Sequence, residues 1–85
     1  MTPTKLFIAT GETLYGPNYR SELGRALGVN ERTIRRWVSG EYPVPDKVWL
    51  ELAEFCQERH ETLKLLDGPL RDAATMENPP QGAGS

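Results

Sequence analysis

The chain has 85 residues, a net charge of −2, 38% hydrophobic residues and a single cysteine, Cys56. That length supports one domain with a modest core, and one cysteine excludes an internal disulfide. No run approaches the roughly 18 apolar residues of a membrane span, and "MTPTKLFIATGE" is too weakly basic and too briefly apolar for a secretory signal, so a cytoplasmic location is expected.

"TKLFIATGETL", Thr4 to Leu14, predicts a first helix. Leu6, Phe7, Ala9, Thr10, Thr13 and Leu14 include the i, i+3, i+4 spacings of an inward stripe, with Gly11 a weak point in the middle. "YGPNY" stops it: Gly16 suits a helix end, Pro17 cannot continue one, and Asn18 is placed to cap the next helix. The second helix is expected over Tyr19 to Leu27, with Leu23, Ala26 and Leu27 inward and Gly28 supplying the positive φ that ends it. Asn30 is a good cap for a third helix, and Glu31 suits its first turn. That helix reaches Val38 or Ser39, Gly40 ends it, and "EYPVP" forms an extended loop.

A fourth helix starts at Pro45 or Asp46. Val48, Trp49, Leu52, Phe55, Cys56, Leu63 and Leu66 keep a period near 3.6 along it. "DGP" at 67–69 is expected to end it. The remainder, "RDAATMENPPQGAGS", is polar, aperiodic and rich in Pro and Gly, so residues 71–85 are expected to be a disordered tail. The predicted fold is all-α: a compact domain over residues 1–70 with four helices, or five if the chain adds a short one.

Catalysis finds little support. His60 is the only histidine and lies four residues from Cys56. A zinc site needs two more good ligands, so no metal and no cofactor is expected. The plain reading is a small buried thiol and a surface imidazole. No phosphate loop, nucleophile elbow or metal motif is present, so no catalytic residue is assigned and the chain is not expected to be an enzyme.

Charge is distributed unevenly. Residues 19–40 carry five arginines against Glu22 and Glu31, a balance of +3, whereas residues 41–85 sum to −5. A basic middle suggests a polyanionic partner. The acidic remainder does not prevent this, because the local field decides within a Debye length of about 8 Å.

On a helical wheel the third helix divides cleanly. Ile34, Trp37 and Val38 form a narrow inward stripe, and Arg32, Arg35 and Arg36 fall within one outward arc of roughly 100°. A helix with an apolar back and an arginine front fits a DNA major groove, about 12 Å wide, and arginine matches guanine N7 and O6 bidentately. Leu23, Gly24, Leu27, Gly28, Val29, Ile34 and Trp37 stand where two helices crossing through a tight turn need them: a small residue at the crossing, a glycine at the turn and five apolar side chains in the shared core.

The stretch "YRSELGRALGVNERTIRRWVSGEYPVP" resembles the helix-turn-helix of the lambda-repressor/Cro-like superfamily, in particular small bacterial and phage regulators with "LGV–S/N–x–R–T–V/I–R–R–W–x–x–G" before a Pro-rich loop. The match covers roughly residues 19–45. It implies a sequence-specific regulator of transcription, with repression the family habit, whose second motif helix docks in the major groove of double-stranded DNA. Carried onto this sequence, Asn30, Glu31, Arg32, Arg35 and Arg36 are the candidate base contacts, with Arg32 and Arg36 leading. Tyr19, Arg20, Ser21, Thr33, Ser39, Tyr42 and Lys47 are candidate phosphate contacts. The family often has glutamine where Arg20 stands, which leaves Arg20 a purely electrostatic role. Trp37 and Trp49 are expected in the core.

Regulators of this type usually act as pairs, with reading helices about 34 Å apart on a (pseudo)palindromic site. Leu63, Leu65, Leu66 and Leu70 come after the stripe needed for the core. Leu63, Leu66 and Leu70 are therefore candidate homodimer contacts. Two other readings stay open: a protein-interaction module such as an antitoxin or phage accessory protein, and the DNA-targeting part of a recombination or packaging complex.

Overall fold

The computed structural model describes residues 1–77, and all of their regular structure is helical. Helix α1 spans Pro3–Tyr15, followed by a single 3-10 turn at Gly16–Asn18; α2 spans Tyr19–Leu27, α3 Glu31–Val38 and α4 Asp46–Glu77.

Local chemistry accounts for most boundaries. The Thr2 hydroxyl accepts from the Lys5 amide at 3.2 Å, and Pro3 occupies the first turn, where its missing N–H costs nothing. Gly28 ends α2 in the left-handed region at φ 73°. The Asn30 Oδ1 accepts from the Thr33 amide at 2.9 Å and so caps α3. Asn18 does not cap α2: its side chain makes no such bond, and the chain enters α2 directly from the 3-10 turn.

Phe7, Leu23 and Ile34 are fully buried, one each from α1, α2 and α3. The Phe7 ring meets Trp37 edge-on at 5.8 Å and Trp49 at 6.2 Å, which ties α1 to both α3 and α4. Val48 and Leu52 close the core from α4. Leu27, Val29, Val38, Trp49 and Phe55 pack against it partly buried. Ala26, expected inward, is exposed, because the buried arc of α2 is set by Leu23 and Tyr19.

Two glycines set the helix approaches. A Cβ at Gly24 would lie 3.0 Å from the Val29 carbonyl oxygen. That is backbone and cannot swing away, so α2 and the turn come this close only because position 24 lacks a side chain. Gly24→Val is expected to destabilise the domain by about 1–3 kcal/mol through overpacking; thermal unfolding followed by circular dichroism checks this, and an unchanged curve would refute the tight crossing.

The largest departure from expectation lies in α4. "DGP" does not end it, and residues 71–77 continue the helix instead of beginning a disordered tail. Residues 78–85 of that expected tail lie outside the described residues. Pro69 removes the bond its nitrogen would give to the Leu65 carbonyl, but every residue around it is exposed and water can serve that oxygen. Gly68 lacks the Cβ that normally collides with a following proline ring, and it does not adopt the positive φ of a helix stop. The Arg71 Nε donates to both Asp67 carboxylate oxygens at 3.1 Å, spanning the interruption. In a helix interior glycine still costs about 1 and proline about 3 kcal/mol relative to alanine.

Nor do the described residues form a compact body. Its extents are 55 × 24 × 22 Å, and 32 residues of α4 account for about 48 Å of the long axis. The first half of α4 packs on the head formed by α1 to α3; every residue from Cys56 to Thr75 is exposed. Cys56, expected buried, is thus a surface thiol.

The last tertiary bond along α4 comes from Arg59. Its Nη1 donates to the Leu14 carbonyl at 2.8 Å, and its guanidinium lies 5.7 Å from the centre of the Tyr15 ring. No basic residue stands in the last turn of α1; a cation from α4 serves its free carbonyls instead. Arg59→Met keeps the stem and removes the cation. It is expected to cost about 1.5–3 kcal/mol of head stability, the range for a hydrogen bond involving a charged group, measurable by urea denaturation; no change would refute the bond's structural role.

Candidate nucleic-acid interface

Eight residues of α3 present two unlike faces. Ile34 and Trp37 are buried on the inner side. Glu31, Arg32, Arg35 and Arg36 are exposed on the outer side. The arrangement follows from the spacing of the apolar pair: residues three apart share a helix face, and those between them must turn outward. Asn30 fixes the helix start and thereby the rotation of the arginines about the axis.

The three arginines are not equivalent. Among the described residues no carboxylate lies within ion-pair distance of Arg32 or Arg35. Arg36 is held at the far end of α3: its Nε lies 3.7 Å from a Glu41 carboxylate oxygen, and its guanidinium sits 5.4 Å from the centre of the Tyr42 ring. The pair is roughly half exposed on both sides, a setting in which ion pairs contribute about 0–1 kcal/mol. A stronger partner can therefore displace Glu41 at little cost. Neither Glu41 nor this latch was anticipated, and an arginine followed five residues later by an acid across a turn carries no sequence signal for it.

The candidate phosphate contacts divide. Arg20 and Ser21 are exposed in the first turn of α2, and the Arg20 guanidinium stands 5.5 Å from the centre of the Tyr19 ring. The Tyr19 ring belongs to the core and the residue is only 5% exposed, which leaves little more than its hydroxyl to reach a phosphate. The reason is Gly11: its missing side chain leaves a recess in α1 that the Tyr19 ring fills. Arg20, Ser21, Glu22, Arg25 and Glu31 line an open polar groove between the start of α2 and the start of α3. Arg25, whose guanidinium pairs with Glu22 at 3.3 Å, was not singled out in the sequence.

Thr33 and Ser39 are at the surface of α3, but their hydroxyl protons are engaged. Thr33 Oγ1 donates to the Asn30 Oδ1 at 3.0 Å, and Ser39 Oγ donates to the Arg36 carbonyl at 3.1 Å. Asn30 likewise has its oxygen committed to the cap and only its amide NH₂ left to offer. Tyr42 and Lys47 are exposed on either side of the Pro-rich loop. The structure thus sets Arg32, Arg35 and Arg36 on the exposed side of α3, while Arg20 and Ser21 line a groove whose α3 edge is Glu31.

Cys56 and His60 form no ligand group, and among the described residues no three His, Cys, Asp or Glu side chains gather to hold a metal ion. Nor is any described helix long and apolar enough to cross a membrane. No protein-family model, no curated protein and no solved structure matches this chain.

Proposed function

We propose that this chain is a sequence-specific, non-enzymatic regulator that binds double-stranded DNA by setting α3 in the major groove. The observation that carries the reading is the exposed arginine face of α3, with Arg32 and Arg35 unpaired among the described residues, backed by a buried apolar face. In this reading α2, the Gly28–Asn30 turn and α3 act as a helix-turn-helix of the lambda-repressor/Cro-like type. Repression is the sign of regulation we infer from that resemblance.

Arg32 and Arg35 read base edges, and Arg36 joins them after leaving Glu41. Arg20 and Ser21 hold one phosphate backbone from the start of α2, and Lys47 the other side of the groove. The mild acidity of the whole chain is compatible with this, because the carboxylates beyond residue 50 lie on α4 and not on the arginine face.

The test is selection from a random duplex library at about 0.15 M salt, where non-specific binding is weak, using protein shown to be folded. Enrichment of a short guanine-containing motif is expected. No enrichment would return the arginines to a solvated or protein-binding face.

A further inference from the structure

Of the arginines on α3, Arg36 alone among the described residues has an aromatic ring against its guanidinium. The backbone puts that ring there. Gly40 turns the chain after α3 at φ 82°. The Glu41 and Tyr42 amides then return to the Arg36 carbonyl, at 3.0 and 3.3 Å, and the Ser39 hydroxyl joins them at 3.1 Å. Pro43 keeps Tyr42 out of the helical region. The loop is thus tied to the very residue whose side chain it accompanies. The Arg36 Cζ lies 5.4 Å from the centre of the Tyr42 ring, and Tyr42 is 51% exposed.

A guanidinium is flat. Its donors point outward in the plane, and its faces are weakly hydrated and stack on rings. Guanine O6 and N7 accept in the plane of their base. A guanidinium that donates to both therefore lies coplanar with the guanine, and its faces look along the base stack. Tyr42 covers one face. The other meets the major-groove edge of the next base. In a right-handed duplex that base is the one on the 5′ side of the guanine. The apolar group a pyrimidine offers there is a C5-methyl, as in thymine or 5-methylcytosine.

We infer that Arg36, backed by Tyr42, reads a two-base step, a 5-methylpyrimidine followed by guanine. The edge of the guanidinium takes the guanine, and its open face takes the methyl group. Tyr42 acts through Arg36 and is a positioning residue: it holds the guanidinium plane against rotation. Glu41, 3.7 Å from the Arg36 Nε, leaves when the guanine arrives; Tyr42 stays, because backbone bonds fix its place. Arg32 and Arg35 have no such ring among the described residues, so the methyl preference belongs to one step of the site. The inference rests on the proposed docking of α3 in the major groove.

The test starts from the motif enriched from the random library. The guanine read by Arg36 is the position whose preference Arg36→Ala relaxes, and thymine is expected before it. Duplexes are then made that differ only at that preceding base: thymine, uracil, cytosine or 5-methylcytosine, each with its complement. Uracil differs from thymine by the methyl group alone. Fluorescence anisotropy should show thymine bound more tightly than uracil, and 5-methylcytosine more tightly than cytosine, by about three- to fivefold, the worth of burying one methyl group. Tyr42→Ala should abolish both ratios while the guanine preference survives. Tyr42→Phe should retain them, because stacking needs the ring and not the hydroxyl. Equal binding of the thymine and uracil duplexes, a ratio that survives Tyr42→Ala, or one lost in Tyr42→Phe would overturn the inference and leave the docking of α3 standing. So would an Arg36→Ala protein that relaxes no position. A folded protein that enriches no motif at all would remove both.

Discussion

Gly11→Val is expected to lower the melting temperature of the domain by on the order of 10–20 °C. A Cβ at position 11 would lie 2.5 Å from the Tyr19 Cδ2 and 3.0 Å from the Leu23 Cδ1. Neither neighbour has room to give, because Tyr19 is nearly and Leu23 wholly buried. Overpacking of this kind costs about 1–3 kcal/mol, and in a domain this small each kcal/mol moves the midpoint by about 4–8 °C. Replacing a mid-helix glycine also recovers up to about 1 kcal/mol of helix propensity, less for β-branched valine. Gly11→Ala therefore measures the balance at its closest. Tyr19→Ala should be destabilising alone but should absorb part of the valine's cost in the double variant, since the side chain then enters the emptied recess. Thermal unfolding of the four proteins gives the coupling directly, and additive effects would show that the ring does not sit against Gly11.

Arg32→Ala is expected to weaken binding to the preferred duplex by about 5- to 150-fold, the equivalent of about 1–3 kcal/mol, and to relax the preference at one base position. Among the described residues the guanidinium has no competing carboxylate to leave, so its contribution is not offset by a broken pair. Arg20→Ala should behave differently: affinity falls for all sequences alike, and the slope of log affinity against log salt becomes shallower by about 1. Titrations on the selected site and on a scrambled duplex, each at several salt concentrations, separate the two. A uniform loss for both variants would make Arg32 a phosphate contact, and no loss for either would remove α3 from the interface. The Arg36–Glu41 pair adds a contrast. Glu41→Gln frees Arg36 and is expected to strengthen binding a few-fold at low salt.

How much of this was readable in advance depends on how far apart the deciding residues lie. The Asn30 cap, the Gly28 turn and the Pro3 start each involve a few neighbouring residues, and the sequence places them within a residue or two. The inward run of Leu23, Ile34 and Trp37 follows from spacing alone. Tyr19 does not. A tyrosine opening a helix suits a surface contact, and only the recess left by Gly11, eight residues earlier, draws it inward. Arg59 binding the Leu14 carbonyl depends on residues 45 apart, beyond any local pattern. Cys56 and the late leucines share one periodic stripe with Leu52, and periodicity identifies a face without saying how much of it a neighbour covers. Gly68–Pro69 was misread for a related reason: it is a stop signal only where the backbone takes a turn conformation, and here it keeps the helical one.

The place where Arg59 closes the head also divides α4 into two parts that differ in what a substitution does to the fold. Before it, most apolar positions serve the common core, and a change at Phe7, Leu23 or Ile34 is felt by the whole domain. After it, every residue through Thr75 is exposed. Substitutions at those exposed positions are expected to leave the head formed by α1 to α3 folded. The late part of α4 can therefore change in sequence without disturbing the packing of α1 to α3.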